Sequence, residues 1–157
     1  MITASDLSEF ARLSALRPDE LEDLARIARV VSFPAEYRLI TEGDVADRCW
    51  LIRDGRILLD AHVPGRGDLV VQTLGSGDLL GWSWLVPPYR WSFGARTAEP
   101  VTAIEFDAAA LSALAEADAE FGRTLTLLLF EVVLDRLQST RARLLDLYSN
   151  PNQASAR

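Results

Sequence analysis

From residue 32 to residue 106 the chain is cut into short apolar runs by glycine, proline and aspartate, and this punctuation limits the fold more than any other feature. The runs at 30–33, 37–41, 48–53, 55–62, 69–74, 93–98 and 101–106 read as strands. Strands this short must turn back before they outrun a core, which predicts an antiparallel barrel or jelly roll. Glycines stand where such turns need an open or left-handed backbone: Gly43 in Thr41-Glu42-Gly43-Asp44, Gly55 after Asp54, and Gly65 and Gly67 in Pro64-Gly65-Arg66-Gly67-Asp68. Asp54-Gly55, set between two apolar runs, is the strongest hairpin signal.

Helical texture flanks this region. Residues 5–15 and 18–31 predict two helices; Ser5 or Asp6 can cap the first, while Pro18 with Asp19 and Glu20 opens the second. Asp107 can cap a helix over 108–117, and residues 118–148 predict one long helix. In it Phe121, Leu125, Leu128, Val132, Leu137, Leu144 and Leu147 keep a near-heptad stripe. Leu127, Leu129, Phe130, Val133 and Leu134 make the middle apolar on more than one side. Two apolar sides call for two partners: the chain's own β-structure and the same helix of a second copy, hence a two-fold homodimer. The alternative is a helix packed wholly on its own barrel. The fold class is thus α+β, an antiparallel β-roll or jelly roll between N-terminal helices and a long C-terminal dimerisation helix. It makes one domain over 1–150 (helices 5–31, roll 32–106, helices 108–148), with a polar tail at 151–157 expected to be disordered.

Composition excludes several functions. A chain of 157 residues, 49% hydrophobic, can bury a core without disulfides or a structural metal. Cys49 is the only cysteine, so there is neither a disulfide framework nor a thiolate metal site, and it reads as a buried strand residue. No secretory leader pattern and no run of about eighteen apolar residues occurs, so a cytoplasmic chain without membrane association is expected. The net charge of -7 argues against a nucleic-acid surface. All 16 basic residues are arginine, which removes the lysine that a phosphate-binding loop of NTPases needs. His62 is the only histidine, so an imidazole metal site of the cupin kind has no ligands. No Gly-x-Ser-x-Gly elbow or concentrated carboxylate pair appears. The chain reads as non-enzymatic and without a cofactor.

The candidate chemistry lies in Gly81-Trp82-Ser83-Trp84-Leu85-Val86-Pro87-Pro88-Tyr89-Arg90-Trp91-Ser92, which holds three of the four tryptophans directly after the turn at Gly75-Ser76-Gly77-Asp78. So many rigid aromatics and backbone breaks mark a ligand cassette rather than a connecting loop.

Five segments in order carry a resemblance. They are Leu21-Glu22-Asp23-Leu24-Ala25; the run from Phe33 through Ile40-Thr41-Glu42-Gly43-Asp44; Cys49-Trp50-Leu51-Ile52-Arg53-Asp54-Gly55-Arg56; Leu74-Gly75-Ser76-Gly77-Asp78-Leu79-Leu80-Gly81; and Ala95-Arg96-Thr97-Ala98-Glu99-Pro100-Val101. Together they resemble the cyclic nucleotide-binding domain of the catabolite activator (Crp/Fnr) and kinase regulatory-subunit superfamily, from about Leu13 to Leu147. The resemblance implies a β-roll whose long C-terminal helix dimerises. It implies a cassette in which a short helix N-terminus and an arginine hold the cyclic phosphate, while a glutamate after the glycine takes the ribose 2'-hydroxyl.

Here Trp82 follows Gly81, so an indole that only donates replaces a carboxylate that accepts. Arg90 is the best match to the phosphate arginine, in a loop about one residue short, so Tyr89 is the other occupant of that place. Arg90 either binds an anion or stacks on Tyr89 and Trp91. In the long helix Thr140 matches a base-contacting hydroxyl of the bacterial activator, and Arg141 replaces a serine. The candidate ligand-binding residues are therefore Gly81, Trp82, Ser83, Trp84, Tyr89, Arg90, Trp91, Ser92, Thr140 and Arg141. The expected function is a stand-alone regulatory or sensor domain that binds a cyclic nucleotide or similar anionic small molecule and signals through its dimeric helix. The alternative is a dimerisation or protein-docking module with a filled pocket. No helix-turn-helix and no direct DNA binding are expected.

Overall fold

A computed structural model describes residues 1–149; the expected tail at 151–157 lies outside them. The N-terminal part holds α1 (Ala4–Ser8), a single 3-10 turn at Ala11–Leu13, and α2 (Pro18–Ile27). Eight strands follow: β1 (Ala28–Phe33), β2 (Arg38–Ile40), β3 (Arg48–Asp54), β4 (Ile57–Val63), β5 (Gly67–Leu74), β6 (Leu79–Leu80), β7 (Gly94–Thr97) and β8 (Val101–Asp107). Helices α3 (Ala108–Ala117) and α4 (Ala119–Ser149) end the described chain.

The strands form two antiparallel four-stranded sheets, in the orders β1-β8-β3-β6 and β2-β7-β4-β5. Apart from β4 and β5, successive strands alternate between the sheets, so the chain builds both layers of a β-roll together, with one core between them. Ile52, Ile57, Leu80, Ala95, Ala103 and Ile104 in that core are fully buried. Cys49 joins them, and burial with the nearby Glu105 carboxylate pushes its thiol up to about 12.

Local signals and the fold differ at four places. The helix expected over 5–15 breaks at Phe10, whose backbone is extended, and its cap is Thr3, which exchanges hydrogen bonds with Asp6 in a capping box. The second helix stops at Ile27 instead of residue 31, because Ala28–Phe33 pairs along its whole length with β8, from Ala28 opposite Phe106 to Phe33 opposite Val101. Tertiary pairing overrides helical periodicity there. Asp54-Gly55 makes no hairpin: β3 pairs with β6 and β8, whereas β4 pairs with β5 and β7. Gly55, at φ +97°, turns the chain from one sheet to the other. The true hairpin is β4–β5 around Pro64-Gly65-Arg66-Gly67. Finally, β6 is two residues long and was not among the expected strands.

Asp107 caps α3 as expected, accepting from the Ala110 amide at 3.0 Å. Helix α4 divides the expected stripe between two faces. Phe121, Leu125, Leu128, Leu129 and Val132 are buried against the chain's own fold. Leu137 and Leu144 are exposed and belong with Leu127, Phe130, Leu134 and Tyr148 on the other face, while Leu147 is exposed near the end of the helix.

Candidate functional site

Strand β6 pairs with Trp50 and Leu51 of β3 and delivers Gly81 at φ +103°. A β-carbon there would stand 2.9 Å from the Trp91 ring and 3.0 Å from the Arg48 carbonyl, so only glycine fits. The chain then coils tightly: the Trp84 indole donates to the Gly81 carbonyl at 3.0 Å, the Leu85 amide to Trp82 at 3.0 Å, and the Tyr89 amide to Val86 at 3.0 Å. Tyr89 sits in the left-handed region, φ 58°. From it the chain returns beside the loop at Gly43–Ala46. The Ala46 amide donates to Tyr89 at 2.8 Å, the Trp91 amide to Asp44 at 2.9 Å and the Gly43 amide to Trp91 at 2.8 Å.

Trp82 and Trp91 of the cassette join Trp50 and Phe93 in one continuous aromatic cluster. Trp50 and Trp91 are stacked at 6.0 Å between centroids, Trp91 meets Phe93 at 6.4 Å, and Phe93 meets Trp82 at 5.2 Å. Glu105 anchors one end, accepting from the Trp50 indole at 3.0 Å and pairing with Arg29 and Arg48. At the other end the Arg136 guanidinium of α4 lies 5.7 Å above the Trp82 ring. It is 8% exposed and donates to the Leu79 carbonyl at 2.8 Å. Burial holds its pKa below the ordinary arginine value, opposed by the Asp78 carboxylate.

The ten candidate residues are thus not all brought together. Gly81, Trp82, Ser83, Trp84 and Trp91 share the packed interior of the cassette, Trp82 being only partly covered. Tyr89, Arg90 and Ser92 are exposed. The Arg90 guanidinium donates to the Gly43 carbonyl at 3.1 Å, and the cation stacked on an indole is Arg136. On α4 the Thr140 hydroxyl donates to the Arg136 carbonyl at 2.9 Å, and Arg141 is exposed. Arg136 was absent from the candidate list. Its signal was position: it is the next helical repeat after Leu125, Leu128 and Val132 on the buried face.

Two clefts adjoin this assembly. One of about 490 Å³ lies beside α4 and β5, lined by Arg12, Gln72, Asp78, Asp135, Arg136 and Ser139 among others. A second of about 480 Å³ is lined by Arg38, Glu42, Gly43, Asp60, His62 and Asp68 among others; Asp60 there is buried and paired with Arg38 at 2.8 Å. Among the described residues no three His, Cys, Asp or Glu side chains are grouped to hold a metal ion, and no helix is long and apolar enough to cross a membrane.

The family model for the cyclic nucleotide-binding domain matches residues 30–118, which span the roll and α3. The chain belongs to that family. A CRP-like cAMP-activated global transcriptional regulator of Mycobacterium tuberculosis is 24% identical over 132 residues, 84% of this chain. This chain spans 57% of that relative's length. A candidate cyclic nucleotide-binding protein from Geobacter metallireducens GS-15 superposes with a TM-score of 0.79 at 27% identity, covering 87% of this chain and 99% of the other. A cyclic nucleotide-binding domain from Methylobacillus flagellatus KT gives a TM-score of 0.82 at 19% identity over 93% and 86% of the two chains. The regulatory β-roll, with helices before it and a long helix after it, is common to the family and to this chain.

Proposed function

We propose that this domain is a regulatory module whose cassette is occupied by the protein's own aromatic side chains, and that it works as a homodimer through α4. One observation carries the reading: Trp91 packs the space over Gly81, and Trp82 joins it through Phe93. Trp82 takes the place where the family's ribose-binding glutamate is expected. An indole supplies no acceptor for a hydroxyl, so a bound ribose would leave its donor unsatisfied. Arg90, at the place of the phosphate arginine, is engaged with the Gly43 carbonyl. The output is non-enzymatic, in a cytoplasmic setting, and reaches partners through protein contact; the charge of -7 makes a direct nucleic-acid contact unfavourable.

The dimer reading rests on spacing. Leu127, Phe130, Leu134, Leu137, Leu144 and Tyr148 are exposed and follow one another at heptad a and d intervals, with Arg141 at the one a position that breaks the apolar row. Such a strip in water calls for a second helix.

Titration with cyclic AMP and cyclic GMP, followed by calorimetry and by tryptophan fluorescence, tests the occupied cassette. The expected result is no saturable signal at millimolar nucleotide, and saturable binding of either would overturn it. A second reading, a small anionic ligand entering from the helix side, is favoured by the cleft beside α4, where Gln72, Gln138 and Ser139 offer hydrogen bonds and Arg136 a cation. A response to another nucleotide, abolished by Ser139→Leu and Gln72→Leu together, would support it over the first.

A further inference from the structure

We infer that the exposed tip of the cassette is a docking surface for a partner protein that presents a large apolar side chain between arginines or lysines. This names the surface for the protein contact proposed above and rests on that part of the reading. The tip, residues 85–90, is exposed throughout, and Leu85, Val86 and Tyr89 leave 37%, 56% and 48% of their surface to solvent. Val45 of the neighbouring loop is 57% exposed and bridges Arg90 in antiparallel register, so the two side chains leave the same side of the backbone. Arg90 reaches back to the Gly43 carbonyl and leaves that valine uncovered. Core packing does not account for this arrangement, because the cassette rings that enter the core are Trp84 and Trp91 at the roots of the tip.

Two features set the tip apart from a loose apolar loop. Its backbone is held by the bonds from the Ala46 amide to Tyr89, from Trp91 to Asp44 and from Gly43 to Trp91, so a partner meets a surface already ordered and association carries little loop-ordering cost. Tyr89 also stands at φ 58°, a region that residues with a side chain adopt under strain, although its half-exposed ring gains little from the core in return. Charge then selects the occupant. Asp44 and Asp47 are exposed on either side of Val45 in sequence, and Arg48 lies 4.0 Å from the Asp47 carboxylate. A second copy across a two-fold axis would set these acids against their own counterparts, and an anionic membrane surface would repel them. A cationic rim around an apolar anchor matches both parts of the patch.

The test follows the amide resonances of the full, isotope-labelled chain against two synthetic probes, acetyl-Arg-Trp-Arg-amide and acetyl-Glu-Trp-Glu-amide. The basic probe is expected to shift the amides at 44–47 and 85–90 saturably, and the acidic probe to bind about tenfold more weakly. Val45→Ser with Val86→Ser, and separately Asp44→Asn with Asp47→Asn, should each weaken the basic probe about fivefold. All four side chains are exposed, so the circular dichroism spectrum stays that of wild type. An equal response to the two probes, a response outside both loops, or none overturns the docking surface. Tip shifts that grow with protein concentration alone assign the tip to a second copy, and shifts with phosphatidylglycerol vesicles assign it to a membrane; either result also overturns the proposal. Cyclic nucleotide binding by the wild type removes the occupied cassette and leaves the probe result standing, so the two failures are told apart.

Discussion

Trp91 lies across Gly81 so closely that a β-carbon on that glycine would come within 2.9 Å of its ring, on a backbone already at φ +103°. Gly81→Ala therefore meets both a disfavoured backbone and a clash. It should destabilise the fold by about 2 kcal/mol or more in urea denaturation. A loss under about 0.5 kcal/mol, the size of an ordinary surface change, would mean that the aromatic ring yields easily.

The stack itself sets the next expectation. Trp91 is 5% exposed and touches both Trp50 and Phe93, so Trp91→Ala should cost about 3–5 kcal/mol. Trp91→Phe should cost clearly less, because a ring remains. Arg90→Ala, next in sequence but exposed, should stay within about 0.5 kcal/mol of wild type. Thermal melts of the three variants side by side check the order.

On α4, Leu134→Glu and Leu137→Glu should yield monomers in sedimentation velocity while leaving the circular dichroism spectrum unchanged, because both side chains face away from the roll. Arg141→Leu should tighten the dimer, since it replaces the charge at an a position with an apolar side chain. Monomeric wild-type protein at high concentration would refute the dimer.

Cys49 supplies a pH dependence. Its folded-state thiol is raised from 9.0 to about 12 by burial, with Glu105 adding to the shift. A raised folded value means that the unfolded chain loses the proton first. The thiol's contribution is whole below pH 9.0 and is lost as pH climbs toward about 12. Wild-type stability should therefore fall more steeply above pH 9.0 than that of Cys49→Ala. Equal slopes in guanidinium denaturation would contradict this. Native Cys49 should also resist alkylation at pH 8, where denatured protein reacts.

Much of the fold was legible because its signals are local. Asp107 capping α3, Pro18 opening α2, and the glycines at Gly43, Gly65 and Gly67 act within a few residues of themselves, and each is where the sequence placed it. Errors arose where a distant partner decides. Residues 28–31 carry helical periodicity but become strand because β8 is there to pair with them. Asp54-Gly55 has hairpin chemistry, yet β4 finds β5 and β7 rather than β3. The two-residue β6 offers no period to detect, although it carries the cassette. Of the site, the stretch 81–92 was readable from its aromatics, while Arg136, far along the chain, was not.

By itself the sequence determined every strand but β6 in order, the turns between most of them, the long amphipathic helix and the family, since these follow from periodicity, backbone chemistry and ordered short motifs. Only the tertiary structure decided which sheet each strand joined, which α4 leucines were covered, and that Trp82 faces Arg136 while Arg90 turns to Gly43. The physical reason is that side-chain direction depends on what fills the space opposite. For Trp82 that space is filled by Phe93 and by an arginine on α4, which the chain reaches only after closing the roll.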